Sequence, residues 1–119
     1  MTKPLILILE DDAISAEALS LILHDWGAEV FHVPHADPVA GCGAEIGAAE
    51  YIITDYHLGD GQDGLTIAQD LLAAAPRARL LVLSGSFHGR ASAAAAASGF
   101  EVMLKPARAE AIIAWLERA

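Results

Sequence analysis

Leu5-Ile6-Leu7-Ile8-Leu9-Glu10-Asp11-Asp12 is the stretch whose reading decides the fold. Five apolar residues in a row, with no polar alternation, describe a strand buried on both faces, the pattern of a parallel sheet. The run stops abruptly at three acidic residues, so carboxylates stand where the strand ends. A helical pattern follows. Asp12 can cap its start, and Gly27 suits the left-handed residue past its end. Ile14, Ala18, Leu21 and Ile22 are expected to share its buried face, with Leu19, Leu23 and Trp26 widening it.

Outward from this stretch the same alternation repeats. Glu29–Val33 reads as a second strand, less uniformly apolar and therefore nearer an edge. Residues 39–49 form a weak helix at best, because Gly41, Gly43 and Gly47 each cost up to about 1 kcal/mol against alanine. Residues 51–54 form a third strand that ends at Asp55, and the turn-rich stretch 59–64 follows. Residues 65–75 read as a helix stopped by Pro76. Residues 80–83 form a fourth buried strand, ending at Ser84-Gly85-Ser86. An alanine-rich helix spans 90–98 and closes at Gly99. A short fifth strand, 102–104, ends at Lys105-Pro106, and a last helix spans 109–118 with Ile112, Ile113, Trp115 and Leu116 as its apolar side. Strands alternating with helices imply crossover connections, hence an α/β parallel sheet with helices on both faces.

Composition bounds the function. The 119 residues read as a single domain, 1–119, with no internal repeat, no linker and no room for an output domain. With 55% hydrophobic and 19% charged residues, disorder is excluded. No apolar run approaches the roughly 20 residues that cross a bilayer, and the first one is too short for a signal peptide. The lone Cys42 allows no internal disulfide, which suits a reducing compartment; a cytoplasmic location is expected. His24, His32, His35, His57 and His88 lack the paired spacing of a zinc site. A formal charge of −9 argues against nucleic acid and against anionic membranes as partners.

The chemistry lies at the strand ends. In an open parallel sheet ligands collect at the carboxyl ends of the strands. Glu10 and Asp11 end the first strand, Asp55 the third, Ser84 the fourth and Lys105 the fifth. Three carboxylates in one crevice repel, and at least one would be driven to bind a proton. A hard divalent cation such as Mg²⁺ relieves this, accepting one or two carboxylates, a backbone carbonyl such as that of His57, and a phosphate oxygen. A carboxylate beside Mg²⁺ can accept a phosphoryl group, with Lys105 and the Ser84 hydroxyl contacting its oxygens.

At this point the sequence resembles the receiver domains of two-component signalling. The resemblance rests on five features in order: Glu10-Asp11, Asp55, Asp63-Gly64, Ser84-Gly85 and Lys105-Pro106. It covers residues 4 to about 118. It implies a doubly wound five-stranded sheet of flavodoxin-like order 2-1-3-4-5. It also implies Asp55 as phosphoacceptor, Asp11 as direct Mg²⁺ ligand, Glu10 as a water-mediated or variable one, Ser84 as switch hydroxyl and Lys105 as phosphoryl contact. A cis Lys105–Pro106 bond is implied as well. The donor would be a histidine kinase or a phosphotransfer protein. Output would be protein contact or onward relay, the downstream protein being unspecified and a homodimer left open. The sequence departs from the family at Gly59, where proline is common, and in the stretch 99–105, which is one residue short. Val102 also stands where an aromatic residue is usual.

Two other readings share the fold. A Mg²⁺-dependent aspartyl-phosphate phosphatase or phosphotransferase would carry Asp-x-Asp after the first strand; here the sequence is Glu10-Asp11-Asp12-Ala13. A flavin-binding protein would need a phosphate loop there, and acidic residues would repel that phosphate.

Overall fold

The computed structural model describes residues 3–10, 12–33, 48–55, 57–58, 62–63, 73, 75, 77–84, 101–105 and 107–118. For Val33, His57, Leu58, Gln62, Asp63 and Ser84 it describes the backbone only. The elements are β1 (Leu5–Leu9), α1 (Ala13–Trp26), β2 (Glu29–Val33), β3 (Tyr51–Asp55), β4 (Arg79–Ser84), β5 (Glu101–Leu104) and α2 (Ala109–Glu117). The five strands form one all-parallel sheet in the order β2-β1-β3-β4-β5. This is the expected doubly wound order, with the less apolar β2 at an edge.

The register sets the function of the sheet's carboxyl edge. Leu9 lies beside both Val33 and Thr54, Asp55 beside Leu83, and Ser84 beside Leu104. The strands therefore end nearly level, and Glu10, Asp55 and Lys105 leave the sheet along one edge. Between β3 and β4, His57–Leu58 and Gln62–Asp63 pair antiparallel as a two-rung ribbon that sequence reading left as loop. The expected helices at 39–49, 65–75 and 90–98 lie outside the described residues, as do Pro106 and the isomer of its peptide bond.

Both faces of the sheet are buried, as the unbroken apolar runs require. Ile6, Ile8, Ile53, Leu81 and Leu83 pack with Leu19 and Leu23 of α1 and with Ile112, Trp115 and Leu116 of α2. On the opposite face Leu7, Leu9, Ile52 and Val82 are all at or below 1% exposure. The caps of α1 follow from sequence. Asp12 has extended backbone and accepts from the Ile14 amide, and Gly27 takes φ 115°, where a Cβ would be strained. Among the described residues no helix is long and apolar enough to cross a membrane.

The expected face of α1 is corrected. Ile14 and Leu21 are 78% and 64% exposed, whereas Ala16, Leu19 and Leu23 are buried. The helix is apolar on most of its circumference, so its own periodicity does not select the inner face. Contact with Ile6, Ile8 and α2 does.

The amino edge of the sheet is locked by aromatics. Tyr51 meets Trp115 edge-on with ring centroids 5.5 Å apart, and Trp26 at 6.3 Å. The Arg79 guanidinium lies 5.0 Å from the centre of the Trp115 ring and donates to the Arg118 carbonyl at 2.8 Å. The Tyr51 hydroxyl donates to the Leu116 carbonyl at 3.2 Å. Both donors satisfy carbonyls at the end of α2 that have no partner within the helix. Trp115 is therefore expected to be a main anchor of the core. Trp115→Ala should lower unfolding free energy by about 3–5 kcal/mol in urea titrations, and Trp115→Phe by clearly less.

Candidate functional site at the carboxyl edge of the sheet

Three charged side chains meet where β1, β3 and β5 end. Lys105 Nζ lies 2.8 Å from Asp55 Oδ2 and 3.7 Å from Glu10 Oε2. Glu10 is 5% exposed and Asp55 7%, so both carboxyls are largely removed from water, while the lysine stem reaches in from a half-exposed position. Residues 10, 55 and 105 are neighbours only because parallel crossovers return each strand end to the same edge.

The turn after β1 is held by its own side chains. The Glu10 carboxylate accepts from the Asp12 amide at 3.2 Å. The Ser15 hydroxyl donates to Asp12 Oδ2 at 2.6 Å, and this bond is the main reason the Asp12 carboxyl titrates below its ordinary range. Nε2 of His32, on β2, lies 2.7 Å from the backbone carbonyl of Glu10. A carbonyl oxygen only accepts, so His32 is the donor and carries its proton on Nε2.

Electrostatics inside the cluster is unbalanced. Burial, aided by the charge of Asp55 and a hydrogen bond with it, raises Glu10 from 4.5 to about 7 against the opposing pull of the Asp12 amide and Lys105. Burial alone would lower Lys105, but its hydrogen bond to Asp55 and the charges of Asp55 and Glu10 outweigh this, leaving it above its usual value. One ammonium thus faces two carboxylates. The donors that remain are oxygens, which suit a hard divalent cation rather than zinc or copper. Among the described residues no group of three His, Cys, Asp or Glu is placed to hold a metal ion. Glu10 and Asp55 supply a pair, and Asp11 lies outside the described residues.

No family model matches the sequence, and no curated protein does. Solved structures do. A response regulator protein from Burkholderia pseudomallei, with a phosphorylated aspartic acid, a calcium ion and citrate, is similar at 30% identity and TM-score 0.82. The match covers 97% of this chain and 67% of that one. The chain belongs to the response-regulator receiver family. Two further receivers share the fold at 19% identity: chemotaxis protein CheY4 from Vibrio cholerae (TM-score 0.83, 98% of both chains) and a CheY-like receiver domain protein from Methanospirillum hungatei JF-1 (TM-score 0.84, 98% of this chain and 92% of that one).

Of the residues that sequence singled out in this receiver, Glu10, Asp55 and Lys105 come together. Ser84 ends β4 and His57 opens the short ribbon just after β3, both placed by backbone alone. Asp11 and Pro106 are outside the described residues. The contact of His32 was missed, although a signal existed: a polar residue near the end of the strand predicted to lie at the sheet's edge.

The raised Glu10 gives a pH dependence with a definite sign. A carboxyl bound more tightly to its proton when folded contributes stability below its unfolded pKa, and that stability is lost as pH rises through the folded value. In metal-free buffer the melting temperature should fall from about pH 4.5 to about pH 7. The associated loss is at most roughly 3 kcal/mol. Glu10→Gln should flatten this window in thermal melts.

Proposed function

We propose that the chain is a phosphorylation-dependent signalling switch whose phosphoacceptor is Asp55. Membership of the receiver family supports the switch, and the ammonium of Lys105 at 2.8 Å from Asp55 Oδ2 carries the assignment of the residue. A histidine kinase or a histidine phosphotransfer protein would present the phosphoryl group as a phosphohistidine. A carboxylate oxygen of Asp55 attacks phosphorus, the P–N bond breaks, and the imidazole departs with the electron pair and regains a proton. The product is an acyl phosphate. Little covalent help is needed, because phosphoryl transfer depends mainly on alignment and charge neutralisation.

Each side chain then has a task. Lys105 neutralises charge on the phosphoryl oxygens, and Ser84, at the end of β4, offers a hydroxyl to one of them. The carboxylates of Glu10, Asp11 and Asp55 and the backbone carbonyl of His57 would hold Mg²⁺. The ion, when bound, offsets the negative charge that otherwise keeps a phosphoryl group away from this pocket. The calcium ion and phosphorylated aspartate of the Burkholderia pseudomallei relative support the pairing of divalent cation and acyl phosphate. Phosphorylation adds about −1.5 to −2 charge beside Lys105, and the receiver passes this on by protein contact, including contact with a second copy, or by onward relay. The 119 residues act as one receiver unit, and the lone cysteine suits a cytoplasmic setting.

Acetyl phosphate with Mg²⁺ tests the assignment. Intact-protein mass spectrometry should show the addition of one phosphoryl group, abolished by EDTA and absent in Asp55→Ala. Unchanged labelling of Asp55→Ala would overturn the assignment. Lys105→Met should slow labelling by about 100-fold, the scale for losing one positioned charge in a transition state. Steady turnover of an aryl phosphate would instead favour the phosphatase reading.

A further inference from the structure

We infer that His32 is a positioning residue for the acidic pocket, acting through its hydrogen bond to the Glu10 backbone. The inference rests on the reading that Asp55 is phosphorylated beside a divalent cation, and it adds the group that holds the pocket's first wall in place.

Three observations carry it. His32 lies beside Ile8 in the β1–β2 register, two residues short of Glu10, so its ring reaches forward past the last strand pairing. It lands on the carbonyl of the residue just past β1, which ends at Leu9, and the bond from His32 Nε2 is 2.7 Å; among the described residues no backbone amide donates to that carbonyl. This carbonyl belongs to the planar peptide unit on the C-terminal side of Glu10, so fixing its oxygen fixes the rotation of that unit.

Other anchors of the turn are the Glu10 carboxyl's contacts with Lys105 and Asp55 and a set of bonds just downstream. The Glu10 carboxylate takes the Asp12 amide, and Asp12 caps α1 through Ile14 and Ser15. These bonds tie the turn to the helix. Among the described side chains, His32 is the one that ties it to β2. Without that tie the unit could rotate, and Glu10 would lose its fixed approach to Lys105 and Asp55. Groups that orient ligand-bearing residues commonly govern metal affinity without touching the metal.

Calorimetric titration with Mg²⁺ tests the idea on the wild type, His32→Ala and His32→Gln, the last keeping an N–H donor of similar reach. His32→Ala should bind Mg²⁺ about three- to tenfold more weakly, the worth of one hydrogen bond, and His32→Gln should recover most of the loss. The Mg²⁺ concentration for half-maximal labelling by acetyl phosphate should rise equally, with the rate at saturating Mg²⁺ nearly unchanged. Equal Mg²⁺ affinity in all three proteins overturns the inference and leaves the proposed function standing. A wild type that binds Mg²⁺ without labelling overturns the proposed function, and the affinities then judge His32 alone. Should His32→Ala fail to fold, imidazole nitrogen NMR on the wild type decides: a proton on Nε2 supports the bond, and a bare Nε2 overturns it.

Discussion

Everything at the functional edge depends on one ammonium group held between two buried carboxyls. Lys105 stands 2.8 Å from Asp55 and 3.7 Å from Glu10, in a place where neither acid is well solvated. Removing charges from water is costly unless they are paired, and a single cation cannot fully pair two anions. The cluster accommodates the shortfall by making Glu10 a weak acid. A pocket in that condition responds to any added charge, whether a cation that relieves it or a phosphoryl group that deepens it. Sensitivity of this kind is what a switch requires, and it comes from topology: only a parallel sheet brings three strand ends so far apart in sequence to one edge.

What was legible in the sequence was whatever the backbone dictates over a run of residues. The apolar block of β1 announced burial on both faces, the more polar β2 announced an edge, and Asp12 and Gly27 marked the ends of α1 through their capping chemistry. Placing acids and a lysine at strand ends was enough to bring Glu10, Asp55 and Lys105 together. The inner face of α1 was not legible, because a helix apolar on most sides carries no preferred direction of its own. Ile14 and Leu21 look like core residues and are not, since it is Leu19 and Leu23 that pack against the sheet and α2. The ribbon after Asp55 was hidden because two rungs leave no periodicity to detect. His32 was hidden because its partner is a backbone carbonyl, which has no letter in the sequence.

The two edges of the sheet divide the work. At the amino edge Trp26, Tyr51, Trp115 and Arg79 interlock, and both Tyr51 and Arg79 hold the last carbonyls of α2. At the carboxyl edge charge replaces packing. The helices α1 and α2 join the two, for α1 begins at the acidic turn and ends at Trp26, while α2 begins four residues after Lys105 and ends at the aromatic lock.

Lys105 stands four residues before the start of α2, and this bears on how a charge change could leave the site. Val102, half-buried in β5 beside Val82, is β-branched and stiff at its first torsion, and it has no ring to swing between two positions. A relay by side-chain rotation at this place is therefore poor physics for this chain. On the proposed function, charge added at Asp55 acts first on the contacts Lys105 makes with Asp55 and Glu10, at the residue that directly follows β5. Leu104, 43% exposed immediately before Lys105, is the apolar surface residue directly attached to that charge.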